Sequence, residues 1–129
     1  MIWQFNTQKP IYAQLIEHIR MGILSGEYPP GSILPSVRAL ALEAEVNPNT
    51  MQRALAELES RGLLRTQRTA GRYVTEDNDM IQSIKKDQAG RFIDDFMLAM
   101  KGLGYDRQDI LGLLAAAGPE DGGEVCKDE

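Results

Sequence analysis

Residues 34–62 read LPSVRALALEAEVNPNTMQRALAELESRG. Two short apolar patterns at helical spacing lie inside this stretch. Val37, Leu40, Ala41 and Ala44 share one face, and Ser36 stands just before them with a hydroxyl suited to accept from the free N–H groups of a first turn. Met51, Ala54, Leu55 and Leu58 form a second face behind Asn47-Pro48. That pair is an N-cap followed by proline, which lacks an N–H that the first turn leaves unpaired anyway. Gly62 closes the second pattern. Only about three residues, Glu45 to Asn47, separate the two patterns, which is the spacing of a helix-turn-helix.

Working outward, an earlier helix is predicted from about Pro10 to Ser25. Ile11, Leu15, Ile19 and Ile23 recur along it every four residues, Tyr12 and Ile16 lie beside them, and Gly26 caps its end. Tyr28-Pro29-Pro30-Gly31 cannot continue a helix and reads as an extended turn. On the other side, Leu63 to Thr75 carries Leu64, Thr66, Tyr73 and Val74, residues suited to strands, with Ala70-Gly71 between the two arms. Arg65, Arg68 and Arg72 make the tip of this short hairpin basic. It is a wing appended to the helix-turn-helix.

Beyond Glu76 the pattern resets. Asp77-Asn78-Asp79 offers caps for a long helix from about Met80 to Lys101, with a stripe of Met80, Ile84, Phe92, Phe96, Ala99, Met100 and Leu103, widened by Ile81, Ile93 and Met97. Asp106 then caps a shorter helix bearing Ile110, Leu111, Leu113 and Leu114. From Gly118 the chain is rich in glycine and acid, a composition that predicts disorder. The expected organisation is a winged helix-turn-helix over 1–76, a helical dimerisation region over 77–117 and an acidic tail over 118–129. The fold class is mainly α with one small β-hairpin.

Charge supports this division. The whole chain of 129 residues carries a net −5, yet residues 1–76 hold eight Lys/Arg against seven Asp/Glu, and residues 77–129 six against twelve. Arg53, Arg61, Arg65, Arg68 and Arg72 crowd into the helix-and-wing stretch. A local basic patch is a better guide to a polyanionic partner than the overall charge. At the start of the third helix, Asn49, Thr50, Gln52 and Arg53 point away from the apolar face. Amide side chains pair with adenine and arginine with guanine, and the free N–H groups of a helix start hold phosphate. Such a device puts its third helix into the major groove by the N-terminal end and lays its wing along the backbone or into the adjacent minor groove.

The residues Pro10-Ile11-Tyr12, Gln14-Leu15, Gly26, Pro29-Pro30-Gly31, Leu34 to Ala41, Val46 to Thr50, Arg53-Ala54, Leu58, Gly62-Leu63, Thr66, Arg68, Gly71 and Tyr73-Val74 together resemble the GntR family of bacterial transcription regulators. Leu103-Gly104-Tyr105 before Asp109-Ile110 extends the likeness to its short YtrA-like subfamily, over about residues 8–115. The resemblance implies a repressor that binds a palindromic operator as a homodimer. It implies a phosphate or base contact from Arg38, DNA contacts from Asn49, Thr50 and Arg53, wing contacts from Arg68 and Gly71, and a small C-terminal dimerisation module. The candidate DNA-binding set is therefore Ser36, Arg38, Asn47, Asn49, Thr50, Gln52, Arg53, Arg68, Gly71 and Arg72. The candidate dimerisation set is Ile84, Phe92, Ile93, Phe96, Met100 and Leu103. Two departures stand out: Thr69-Ala70 at the wing tip replaces the usual glycine and basic residue, and Glu45 occupies a turn position often held by glycine.

Other classes find little support. One cysteine, Cys126, and one histidine, His18, make no metal-ligand cluster, and no nucleophile–base set or phosphate-cradling loop is present, so no enzyme, metal or cofactor is expected. The apolar runs fall far short of the roughly 20 residues of a membrane span, and the N-terminus lacks signal-peptide layout, which predicts a cytoplasmic protein with no membrane partner. The competing expectation is a winged-helix protein-interaction module without DNA binding, suggested by the net acidity. A small-molecule effector has room between dimer helices near Phe92, Phe96 and Met100.

Overall fold

The computed structural model describes residues 3–68 and 71–117. Its elements run α1 (Ile11–Ser25), α2 (Val37–Ala44), α3 (Pro48–Ser60), β1 (Leu64–Gln67), β2 (Gly71–Val74), α4 (Asn78–Gly102) and α5 (Arg107–Ala116). The mainly helical fold with one antiparallel hairpin agrees with the sequence reading. The expected disorder of the tail, Cys126 and the wing-tip pair Thr69-Ala70 lie outside the described residues.

Local chemistry sets the helix boundaries. The Ser36 hydroxyl accepts the Ala39 N–H at 3.0 Å, and the Asn47 side-chain Oδ1 accepts the Asn49 N–H at 2.7 Å, with Pro48 as first helical residue. Pro10 sits one place earlier than expected, at the cap of α1. The end of α3 is closed by two bonds, Gly62 N–H to the Glu59 carbonyl and Leu63 N–H to the Leu58 carbonyl. This closure needs a left-handed residue, and Gly62 supplies it at φ 86° with Leu58 and Leu63 buried on either side.

The end of α2 uses the same pair of bonds, Glu45 N–H to the Leu42 carbonyl and Val46 N–H to the Ala41 carbonyl. Here the left-handed position, φ 59°, is filled by Glu45. A Cβ at such a position crowds the following carbonyl, so the turn that sets α3 against α2 is strained. Glu45→Gly is expected to raise the unfolding free energy by about 0.5–1 kcal/mol, less than the full relief because glycine also loosens the unfolded chain. A higher urea midpoint at unchanged slope is the readout.

The chain divides into two compact units, at Lys86/Asp87 inside α4. The core of the first unit joins Leu15, Ile19 and Ile23 of α1, Leu40 and Ala41 of α2, and Met51, Ala54, Leu55 and Leu58 of α3 to Leu63, Leu64 and Val74 of the hairpin. β1 and β2 pair with Leu64 opposite Val74 and Gln67 opposite Gly71. The free edge of β2 is covered by the segment after the Pro29-Pro30 turn: Leu34 N–H donates to the Arg72 carbonyl, Val74 N–H to the Ser32 carbonyl, and Ile33 bridges Tyr73. The segment before α1 is tied down by Gln14, whose amide donates to the Asn6 and Lys9 carbonyls and accepts the Asn6 N–H. There the Trp3 ring stacks on His18 at 4.2 Å, and burial pushes the imidazole pKa below its ordinary 6.5.

The unit boundary lies later than the expected 76/77 because α4 begins as part of the first core. Asp77 caps it by accepting the Met80 N–H, Ile81 is buried, and Met80 and Ile84 pack on the same cluster. Ile84, expected on the dimerisation face, is thus engaged with the first unit. In the second unit, Asp106 and Asp109 form a reciprocal capping box at the start of α5. Phe92, Ile93, Phe96 and Met97 of α4 and Ile110, Leu111 and Leu114 of α5 line an open apolar groove of about 430 Å³, with Arg107 at its rim. Of the described residues 87–117 only Ile110 is buried, while Phe92 is 56% and Leu103 74% exposed.

Candidate nucleic-acid interface

The side chains expected to read DNA sit at the capped start of α3. Asn49, Gln52 and Arg53 are exposed and Thr50 half-buried. The caps fix this end of the helix: the Asn47 side chain is engaged with the helix itself, and Ser36 does the same for α2. Both residues therefore position the two helix starts as well as lying at them. A crevice of about 270 Å³ is lined by Leu34 to Val37, Leu55, Thr66, Gly71 and Arg72, so the start of α2 and the second arm of the wing face one space.

The arginines of this region divide into two kinds. Arg38, Arg65 and Arg68 are exposed and have no hydrogen bond or ion pair among the described residues. Their guanidinium groups are available to phosphate. Arg61 instead pairs with Glu57 one turn back at 2.9 Å. Arg72, expected to touch DNA, is turned onto α3: its Nε donates to Glu59 at 3.1 Å and a terminal nitrogen to the Gln52 side-chain Oε1 at 3.4 Å. The Thr66 hydroxyl donates to the same Glu59 carboxylate at 2.7 Å. Glu59 thus ties both arms of the wing to the recognition helix. Sequence reasoning missed it, although Gln52 and Glu59 are seven residues apart, roughly two turns, and share a face.

Arg53 differs again. Its guanidinium carbon lies over the Tyr12 ring of α1, 4.6 Å from the centroid. Tyr12 was legible as an apolar neighbour of the first helix's core face and as part of the family-like Pro10-Ile11-Tyr12, not as a partner of Arg53. It is half-buried and packs on the core. Among the described residues no group of three or more histidine, cysteine or carboxylate side chains is placed to hold a metal, and no helix is long and apolar enough to cross a membrane.

Comparison with known proteins places this geometry. The sequence profile of the bacterial regulatory proteins of the gntR family matches residues 11–74, from the start of α1 to the end of the wing. The chain is 35% identical over 108 residues to an uncharacterized HTH-type transcriptional regulator of Bacillus subtilis, YhcF, covering 84% of this chain and 89% of that protein. It is 44% identical over 71 residues to the HTH-type transcriptional repressor YtrA of the same organism, covering 55% of each. Among solved structures, a GntR family transcriptional regulator from Listeria monocytogenes superposes with a TM-score of 0.81 at 38% identity, covering 88% of this chain and all of that one. The DNA-binding domain of AraR, solved in complex with operator ORE1, has a TM-score of 0.50 at 27% identity, covering 58% of this chain and 94% of that one. With the fold, the helix-turn-helix spacing and the wing all shared along its length, this chain belongs to the GntR family of bacterial regulatory proteins, in its short YtrA-like form.

Proposed function

We propose that this protein is a cytoplasmic transcriptional repressor that binds a palindromic operator as a homodimer. The observation that carries the reading is the capped start of α3, where Asn49, Thr50, Gln52 and Arg53 are presented beside a wing whose Arg65 and Arg68 are exposed and have no hydrogen bond or ion pair among the described residues. AraR, a relative of this unit, was solved on operator DNA, and YtrA is a repressor, which supports both parts of the reading. In this arrangement Asn49, Thr50, Gln52 and Arg53 meet base edges in the major groove, while Arg38, Arg68, the helix-start amides behind Ser36 and Asn47, and the backbone at Gly71 meet the phosphates. No chemistry is required of these residues, only recognition.

Dimerisation is assigned to the second unit. A pair of helices with one buried residue cannot hold itself together in water, and the exposed Phe92, Ile93, Phe96, Leu111 and Leu114 need a cover. Met100 and Leu103 extend the same face. A twofold protein then matches a twofold site.

The test is selection from random duplex DNA, followed by affinity measurements at several salt concentrations. A palindromic consensus is expected, with log affinity falling linearly in log salt as phosphate counterions are displaced. Arg53→Ala is expected to weaken binding to the selected duplex by roughly 1–3 kcal/mol and to relax preference at one base pair per half-site. Absence of both sequence enrichment and salt dependence from the folded protein would instead favour the protein-interaction module.

A further inference from the structure

We infer that Tyr12 is a positioning residue for DNA reading: its ring is the platform that holds the Arg53 guanidinium with its donor edge free for a base. This rests on the reading of α3 as the recognition helix. Three arginines near the wing are held by the protein, and two of them are held through their N–H groups. Arg61 is engaged with Glu57 and Arg72 with Glu59. Each gives its Nε donor to a carboxylate of α3, which ties its guanidinium to the protein rather than to guanine O6 and N7. Arg53 alone of the three lies over an aromatic ring, at 4.6 Å from the centroid, a distance at which the negative ring face attracts the cation. Such a contact needs no hydrogen-bond donor, and among the described residues Arg53 has no hydrogen bond or ion pair.

The placement follows from the fold. α3 packs on α1 through Leu15, Ile19, Met51, Leu55 and their neighbours, so the outward residue Arg53 passes beside the first turn of α1. Tyr12 is half-buried there, its ring anchored by the core rather than free to follow the arginine. A long, flexible side chain loses rotamer freedom when it is fixed against a base. Contact with an anchored ring removes part of that freedom before DNA arrives, so less is lost on binding. Tyr12 therefore contributes to specific affinity without touching the operator.

The experiment uses the full chain and the duplex chosen by the selection above, with a scrambled duplex as the non-specific reference. Tyr12→Leu and Tyr12→Met remove the ring face, Tyr12→Phe restores it, and Tyr12→Leu is also combined with Arg53→Ala. All are measured well below their melting transitions. Tyr12→Leu and Tyr12→Met are expected to weaken binding to the selected duplex roughly 3- to 20-fold, the range of a partly exposed cation–π contact. Binding to the scrambled duplex should stay the same, and preference at the Arg53 base pair should relax. Phe should rescue most of the loss, and adding Tyr12→Leu to Arg53→Ala should cause no further loss. Additive losses in the double variant would overturn the inference, as would Tyr12→Phe behaving like Tyr12→Leu, the mark of a phosphate contact by the phenol hydroxyl. If Arg53→Ala weakens binding while Tyr12→Leu and Tyr12→Met leave it unchanged, the platform fails and the recognition reading stands. If the wild type selects no sequence, both fail.

Discussion

Leu58→Ala is expected to lower the unfolding free energy by about 2–5 kcal/mol. The side chain is fully buried in the core shared by α1, α3 and the hairpin. Truncation removes its transfer free energy and leaves a void that the capped ends of α3 cannot collapse to fill. Domains of this size are stable by only about 5–15 kcal/mol in total, so a large fraction of the margin disappears. Leu58 also supplies the carbonyl that Leu63 N–H bonds at the closure of α3 and shares the core with Leu63 and Leu64, so the loss is felt where the wing is joined to the helix. Urea unfolding should show a lower midpoint with the slope retained. The folded fraction should still bind DNA, because no residue of the reading face is altered.

Phe96→Glu is expected to have the largest effect on operator binding. Phe96 is 40% exposed in the apolar groove between α4 and α5, and a carboxylate placed there would have to be stripped of water to enter a subunit interface. On the proposed dimer, the wild type should sediment as a dimer and the variant, at the same concentration, as a monomer. A monomer reads one half-site, so the gain from tethering a second reading head is lost, roughly 10²–10⁴-fold in affinity for the full palindrome. Affinity for an isolated half-site should be unaltered. Persistence of the dimer, or equal loss on half-site and palindrome, would count against the assignment of this face.

Local signals explain why the helix-turn-helix was legible in the sequence. Ser36 before Val37 and Asn47 before Pro48 specify helix starts by hydrogen bonds within three residues, and the observed caps use those side chains. The hairpin was legible from another local signal, the strand-suited Leu64, Thr66, Tyr73 and Val74 on either side of a glycine turn. What escaped depends on distant partners. A helical stripe shows that Met80, Ile81 and Ile84 face something apolar, but periodicity does not say that they cover the first core while Phe92 and Phe96 do not. The Ser32–Leu34 segment along β2 leaves no periodic trace, because one bridge and a few backbone bonds demand no particular side chains. Arg72 looked like a free cation in the sequence. Its carboxylate partner lies thirteen residues away on another element. In the same way, a ring at Tyr12 and a cation at Arg53 carry no sequence signal that they meet.

The stack of Trp3 on His18 makes the protein its own optical reporter. The chain contains one tryptophan and one histidine, and the fold sets them in van der Waals contact. Because burial holds the imidazole below its ordinary pKa, the indole rests against a neutral ring at neutral pH. Acidification that charges the imidazole, or any event that peels the N-terminal segment from α1, alters the environment of the single tryptophan. Tryptophan emission, excited selectively, therefore follows the docking of that segment on the helix bearing Tyr12, with no label attached.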